Sequence, residues 1–332
     1  MRFSVTTNPD SIIAADYRTF LSQNEECSYF HTLNYYYALK QTRGVFPVFV
    51  LVKNSNDVIV ASAVGELANE LQYLPYFSRR LLLYDKPVSA NSQALEFILT
   101  HLKSINSGLF VQIRSFFPFT DQEKKTYKKN GFLLSDHLNA FIPLKGQSES
   151  VIFSQFKKDK RKGIKRAIER YGLTVTEFKD KNKAVDIFYE MQEKLFKKKR
   201  HALKSKDFFL NLINTSDGHV SIVFADFEGI PVASQLYISY NQKITALYTA
   251  TLEEHKDKYA GDFLIWHLLK KGLNEGFEIF DFGGGGNPKK SYGPRLYKER
   301  FGTQFTEIGR FNLPKSPLYK IIMFMYQKLL KR

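Results

Sequence analysis

FLIWHLLKKGLNEGFEIFDFGG, residues 263–284, reads as a helix, a glycine break and a strand, and the strand runs into glycines. Just upstream, HVSIVFADFEGIPVASQLYISYNQKITALYTAT (219–251) supplies three strands, with EGIP and YNQK at the turns. Downstream, the strand continues as FDFGGGGNPKKSYGPRLYKERFG (280–302), where four glycines, a lone aspartate and a cluster of cations meet. Gly283 to Gly286 can adopt positive φ and let a ligand approach the backbone. Four glycines alone also suit a flexible surface loop. Tyr292, Arg295, Tyr297, Lys298 and Arg300 follow directly, and they favour a site.

The segment before these strands is the most basic part of the chain. SQFKKDKRKGIKRAIERYG reads as a helix in which Phe156, Ile164, Ile168 and Tyr171 share a face, closed by Gly172. A second amphipathic helix carries Val185, Phe188, Met191, Leu195 and Phe196 and ends in KKKRH; Lys204 and Lys206 precede a short helix, DFFLNLI. In residues 151–206 Lys and Arg outnumber Asp and Glu by 18 to 7, so most of the chain's net +16 lies there. Such a patch favours phosphate-bearing partners: nucleic acid, nucleotide-linked substrates or an anionic membrane.

The first half repeats the theme. An aromatic helical stretch, SYFHTLNYYYALK (28–40), leads to VFPVFVLVK and VIVASAVGEL, two strands joined by the turn former NSND. SQALEFILTHLKSI (92–105) has a helical stripe of Leu95, Ile98, Leu99 and Leu102. LFVQIRS, a polar helix around DQEKKTYKKN, and the strand region FLLSDHLNAFIPL complete a mixed sheet covered by helices. QSES (147–150) reads as the linker, giving domains 1–146 and 147–332 that share an order of elements. At 332 residues with 43% apolar content, each half can bury its own core.

Cys27 is the only cysteine, which excludes an intrachain disulfide and fits a reducing compartment. The stretch MRFSVTTNPDS has no basic segment followed by an apolar core, and no apolar run is long enough to span a bilayer. The expected location is cytoplasmic, with peripheral contact at the inner membrane face through the C-terminal SPLYKIIMFMYQKLLKR (316–332) or packing of that segment on its own domain. The seven histidines lack metal-ligand spacing, so no metal is expected.

GIPVASQLY, ALYTAT, the helix after Gly261, RKGIKRAIERYGLTV and LYKERFG, taken in this order, resemble the GNAT acyltransferase fold and, more specifically, the Fem family of peptidoglycan-bridge aminoacyltransferases with their FemAB-like relatives. The resemblance covers nearly the whole chain and implies two tandem GNAT-like domains of the α/β class with mixed sheets. It implies transfer of an acyl or aminoacyl group to an amine of a cell-envelope precursor, peptidoglycan or surface polysaccharide. The co-substrate would be aminoacyl-tRNA, contacted through 157–206, or acyl-CoA, with no tightly bound cofactor. The long coiled-coil arm of some members has no room here. At the position of the GNAT phosphate loop, Lys258 and Gly261 keep the cation and one glycine of the pattern, Asp262 and Phe263 replace its small residues, and Asp262 suits a helix N-terminus better than a pyrophosphate.

By the resemblance, Lys298 of the aromatic-Lys-x-x-Phe-Gly motif, flanked by Tyr297, stabilises charge on the reacting carbonyl, a task worth about 100- to 1000-fold in rate. Asp281 either accepts a proton from the attacking ammonium or caps the glycine loop. Tyr248 lines the acceptor channel; Lys204 and Lys206, with Phe208 and Phe209, stand where relatives have an arginine and a tyrosine and can meet a substrate phosphate as point charges, and Lys40 resembles a family phosphate-binding lysine more weakly. Arg295, Gly284 and Gly285 complete the set, the glycines as a pliable rim. With no serine or cysteine in a nucleophile motif, direct transfer is expected rather than an acyl-enzyme. A CoA-dependent N-acyltransferase of a sugar nucleotide and a non-catalytic nucleic-acid-binding protein are the competing readings.

Overall fold

The computed structural model describes residues 3–69, 79–199, 202–319, 321 and 324. The chain divides into two compact units, residues 1–137 with 307–332, and residues 138–306.

In the first unit the strands are β1 (Phe3–Thr6), β2 (Phe46–Asn54), β3 (Ile59–Asn69), β4 (Arg79–Leu83), β5 (Val88–Ser89), β6 (Phe110–Ile113), β7 (Leu133–Ser135) and, from the far end of the chain, β15 (Arg310–Pro314). Their order is β1-β2-β3-β4-β6-β15-β7, with β5 on β3. Helices α1 (Ala14–Ser22), α2 (Leu33–Gln41), α3 (Ser92–Ser104) and α4 (Asp121–Lys129) cover the sheet. The β2–β3 hairpin forms at NSND because the Asn54 side chain accepts the N–H groups of Asn56 and Val58 and Asp57 takes φ +61°. The α3 stripe, Leu95, Ile98, Leu99 and Leu102, is buried in the core as its spacing requires.

The second unit has β8 (Leu138–Pro143), α5 (Glu149–Gln155), α6 (Lys158–Glu169), β9 (Thr174–Thr176), α7 (Lys181–Lys199), α8 (Lys206–Asn214), β10 (Val220–Phe227), β11 (Ile230–Tyr240), β12 (Lys243–Thr251), α9 (Ala260–Asn274), β13 (Ile279–Gly286), α10 (Gly293–Glu299) and β14 (Gln304–Glu307). Its order is β9-β10-β11-β12-β13-β8-β14. Strand for strand this matches the first sheet, and each contains a parallel pair, β4 with β6 and β12 with β13, joined by a helical crossover. The units also exchange a strand in sequence: β8 from the first half completes the second sheet, and β15 from the second half completes the first.

Two sequence readings change here. The expected division at 146/147 differs from the observed units, because FLLSDHLNAFIPL breaks at Asp136–His137 into β7 and β8, which join different sheets. The basic helix is two helices: α5 ends at Gln155, Phe156 caps it, and α6 starts at Lys158. Ile168 is exposed, and Lys160, Gly163, Ile164 and Ala167 form the inward face of α6. The C-terminal segment expected to touch a membrane lies mostly outside the described residues; among those described, no helix is long and apolar enough to cross one.

Candidate active site

The parallel pair β12–β13 is in register at only three positions, Lys243 with Ile279, Ile244 with Phe280 and Thr245 with Asp281, after which the strands part. On its other edge β13 pairs with β8 through two register shifts, between Asp281 and Gly283 and between Gly284 and Gly286. The glycines therefore lie within a bulged strand and do not form a loose rim. Gly283 and Gly286 take φ +71° and +76°, and a Cβ on Gly285 would stand 3.1 Å from Leu138 and 3.2 Å from Phe305.

Asp281 and Lys298 hold this distortion from opposite directions. Asp281 is 1% exposed; one carboxylate oxygen accepts the Gly283 N–H at 2.6 Å, the other accepts Asn139 Nδ2 at 2.9 Å and lies 3.6 Å from Lys243 Nζ. Of the two roles expected for Asp281, this geometry is that of a carboxylate capping the glycine segment. Lys298, on α10, donates from Nζ to the carbonyls of Phe282 (2.7 Å), Gly283 (3.2 Å) and Gly284 (2.9 Å). Three consecutive carbonyls facing one ammonium require the bulge, and they use its three donors. Burial pulls the Lys298 pKa down to about 8, and the Asp281 carboxylate opposes that shift. Arg295 fixes the following turn through the carbonyls of Asn287 (2.9 Å) and Lys290 (2.6 Å).

Tyr297, the neighbour of Lys298, turns the other way. Its hydroxyl donates to Asp262 at 2.8 Å, and its ring stands 4.1 Å from Lys160 Nζ. Lys160, 6% exposed, bonds both Asp262 oxygens at 2.7 and 2.8 Å. Burial, then the Asp262 charge, raises the Tyr297 phenol well above its ordinary range. Phe301 fills the core against Phe156 and Phe282. Gly302 takes φ +69° with its α-carbon pressed to Gln155, where a Cβ would approach within 2.8 Å. Each position of the Tyr297–Gly302 motif thus has a steric or electrostatic reason. Gly302→Ala is expected to cost about 2–4 kcal/mol of stability, read from chemical denaturation, because left-handed backbone and overpacking both act against it. A cost below experimental error would show that the contact relaxes freely.

Asp262 lies in the first turn of α9, in front of which is a cavity of about 550 Å³ lined by Lys162, Arg166, Thr251, Lys256, Tyr259 and Arg300 and by the carboxylates of Asp159 and Asp262, which pair with Arg300 and Lys160. The termini of α2, α3, α4 and α8 are capped by the side chains of Thr32, Asn91, Thr120 and Ser205. At α9 the N-cap is Tyr259 in the left-handed region, φ +59°, with no side-chain cap, so the first-turn N–H groups face the cavity side of the helix. Gly163 of α6 makes room for the Tyr259 ring, since a Cβ there would stand 2.6 Å from it. With Asp159 and Asp262 paired to Arg300 and Lys160, the remaining cations Lys162 and Arg166 and the α9 dipole suit a phosphate.

The remaining sequence candidates lie apart. Tyr248, half-buried on β12, packs against Phe188, Phe196 and Phe209 under α7 and α8. Lys206 pairs with Asp186 at 2.6 Å, and Lys204 lies 5.2 Å from the Phe208 ring. Lys40 belongs to the first unit, where it pairs with Asp10 at 3.2 Å. No group of acidic, histidine or cysteine side chains that could hold a metal occurs among the described residues. The sequence reading missed Lys160, Arg166, Thr251 and Tyr259; Lys160 was legible, being four residues from both Phe156 and Ile164 on the apolar stripe.

Residues 154–292 match the family described as acetyltransferase (GNAT) domain. Over the full length the fold is similar to that in the crystal structure of FemX, with 15% identity, TM-score 0.73, and 97% of this chain and 100% of that one covered. L-PGS from Bacillus licheniformis gives 15% identity, TM-score 0.59 and 98% coverage of both chains. A tandem GNAT protein from the clavulanic acid biosynthesis pathway gives 9% identity, TM-score 0.59, and 95% and 99% coverage. No curated protein sequence matches the chain.

Proposed function

We propose that this chain, which has a Fem-like tandem GNAT fold and a GNAT acyltransferase domain at residues 154–292, transfers an acyl or aminoacyl group from a phosphate-bearing donor to an amine of a cell-envelope precursor. The observation that carries this reading is the cavity at the uncapped start of α9, lined by Lys162, Arg166 and Tyr297; Tyr297 is the sequence neighbour of Lys298, whose ammonium faces β13. Donor phosphate lies against the α9 N–H groups and the Lys162, Arg166 and Arg300 side chains. The carbonyl of the donor reaches the space where β12 and β13 part. The acceptor attacks that carbonyl as the neutral amine, its ammonium proton having gone to solvent or buffer; a C–N bond forms, the ester or thioester bond breaks, and the leaving oxygen or sulfur takes the second proton from the attacking nitrogen. Lys298 fixes the bulged strand and supplies positive charge where the oxyanion develops.

Aminoacyl-tRNA is the favoured donor, acyl-CoA the second. The favouring observation is that the cationic surface extends past the cavity. Lys162 also lines a second cavity, of about 500 Å³, with Lys158, Arg161 and Lys165, and Lys158, Lys162 and Lys165 have no carboxylate partner among the described residues. Many lysines elsewhere do, such as Lys129 with Glu96 and Lys145 with Glu278. A polynucleotide backbone can use both cavities, while one nucleotide fills the first. The acceptor reading draws on the likeness to FemX and to L-PGS, a lysyl-phosphatidylglycerol synthetase.

The test is mass spectrometry of products after incubation with charged tRNA or acyl-CoA, each with nucleotide-linked and lipid-linked envelope precursors. Product from either donor supports a transferase, and RNA binding without product across the panel favours the binding-protein reading. Arg166→Glu is expected to weaken donor binding about 10-fold or more by placing a carboxylate at the cavity rim. Unchanged donor affinity would remove the donor from this cavity.

A further inference from the structure

Gln192, in the middle of α7, is completely buried, and neither its Nε2 nor its Oε1 has a hydrogen-bond partner among the described residues. An amide unmatched at both ends is costly in a folded core, and a group kept at such cost calls for a use. Its surroundings locate it. Phe188 and Phe196, one turn before and one turn after on the same helix stripe, both touch the Tyr248 ring, with centroids 6.5 and 6.2 Å away. Phe209 of α8 meets Tyr248 at 5.0 Å and Phe188 at 5.1 Å. The Gln192 amide therefore lies on the helix face that the half-buried Tyr248 ring covers.

A second unmatched group shares that side of the sheet. Ser234 on β11 is 0% exposed and its hydroxyl has no partner. Leu236 pairs directly with Tyr248 and Ser234 with Ala250, so alternation along both strands directs Ser234 to the same face as Tyr248. By contrast Gln235, on the opposite face, spends its amide on the carbonyls of Leu236 and Tyr248.

We infer that Gln192, with Ser234, reads a secondary amide, a peptide or N-acyl group, of the acyl acceptor, and that Tyr248 is the aromatic cover displaced as that group enters. This rests on the transferase reading above. A secondary amide is matched because it offers one donor and one acceptor to a side chain that presents one of each, and an ester of the same shape lacks the donor.

The experiment follows the Gln192 side-chain NH₂ resonances in ¹⁵N-labelled full-length protein, assigned by their loss in Gln192→Leu. The probe is N-acetyl-L-alanine methylamide, and the control is N-acetyl-L-alanine methyl ester. The amide is expected to shift these resonances saturably, and more tightly than the ester. In Gln192→Leu the melting temperature should hold or rise while KM for the acceptor increases roughly 10- to 100-fold at nearly constant kcat. Ser234→Ala should raise KM by a smaller factor. Resonances that do not respond to the probe, or a Gln192→Leu protein that melts lower with unchanged KM, would overturn the inference by assigning the amide to the fold. The resonance shift needs no turnover, so failure of this inference is distinguishable from failure of the transferase reading.

Discussion

Lys298→Ala is expected to lower turnover about 100- to 1000-fold, and Lys298→Met nearly as much. The two variants separate charge from volume, since methionine keeps the stem that packs beside β13 and removes only the ammonium. Without it the carbonyls of Phe282, Gly283 and Gly284 converge on nothing, and the bulge that parts β13 from β12 loses its main restraint. The pH dependence carries the sharper signature. With a pKa lowered by burial to about 8, Lys298 loses its charge as pH rises through that value, so kcat/KM should fall about tenfold per unit above it. Stability should move the other way. A lysine whose folded pKa lies below its unfolded value of 10.5 binds fewer protons in the fold between the two, so its contribution is complete above 10.5 and is lost as pH falls toward 8. Wild type should therefore gain stability across that window while losing activity, and Lys298→Met should lack the gain. Turnover that survives in Lys298→Met would show that catalysis needs neither the charge of the ammonium nor its hold on the strand.

Why the motif was readable and the cavity was not follows from what each depends on. Tyr297, Lys298, Phe301 and Gly302 fall within six consecutive residues, so the pattern is local in sequence although its partners come from α5, α6, α9 and β13. The tandem sheets were legible because each strand run is bounded by its own turn chemistry, such as NSND and EGIP. The strand exchange was not, since nothing local to Leu138–Pro143 tells which of two similar sheets it completes. The cavity joins α6, the end of β12, the turn Glu253–Lys258, the start of α9 and α10, five segments between residues 159 and 300. Arg166 and Lys256 look like any solvated cation until those segments meet. Asp281 shows the same limit: its position before the glycines was evident, but its partners Asn139 and Lys243 come from β8 and β12. Gln192 was hidden differently, as a polar residue on an otherwise apolar stripe, visible only once its burial and lack of partners are known.

Lys160→Met is expected to cost about 3–5 kcal/mol of stability, among the largest effects of any single change in the second unit. The ion pair it removes is almost wholly enclosed, with side-chain exposures of 8% for Lys160 and 10% for Asp262. Asp262 would keep the Tyr297 hydroxyl and the α9 dipole, which soften the loss without replacing a bidentate ammonium. Two results follow from leaving that carboxylate uncompensated. Lys160→Met/Asp262→Asn should recover much of the stability, because the amide carries no charge to bury. Donor affinity should follow charge and not stability: it should fall in Lys160→Met, where a bare carboxylate faces the cavity, and return in the double variant. A double variant as unstable as Lys160→Met would mean that the ammonium acts mainly through the Tyr297 and Phe301 rings, 4.1 and 5.0 Å away, and that Asp262 is not what it neutralises.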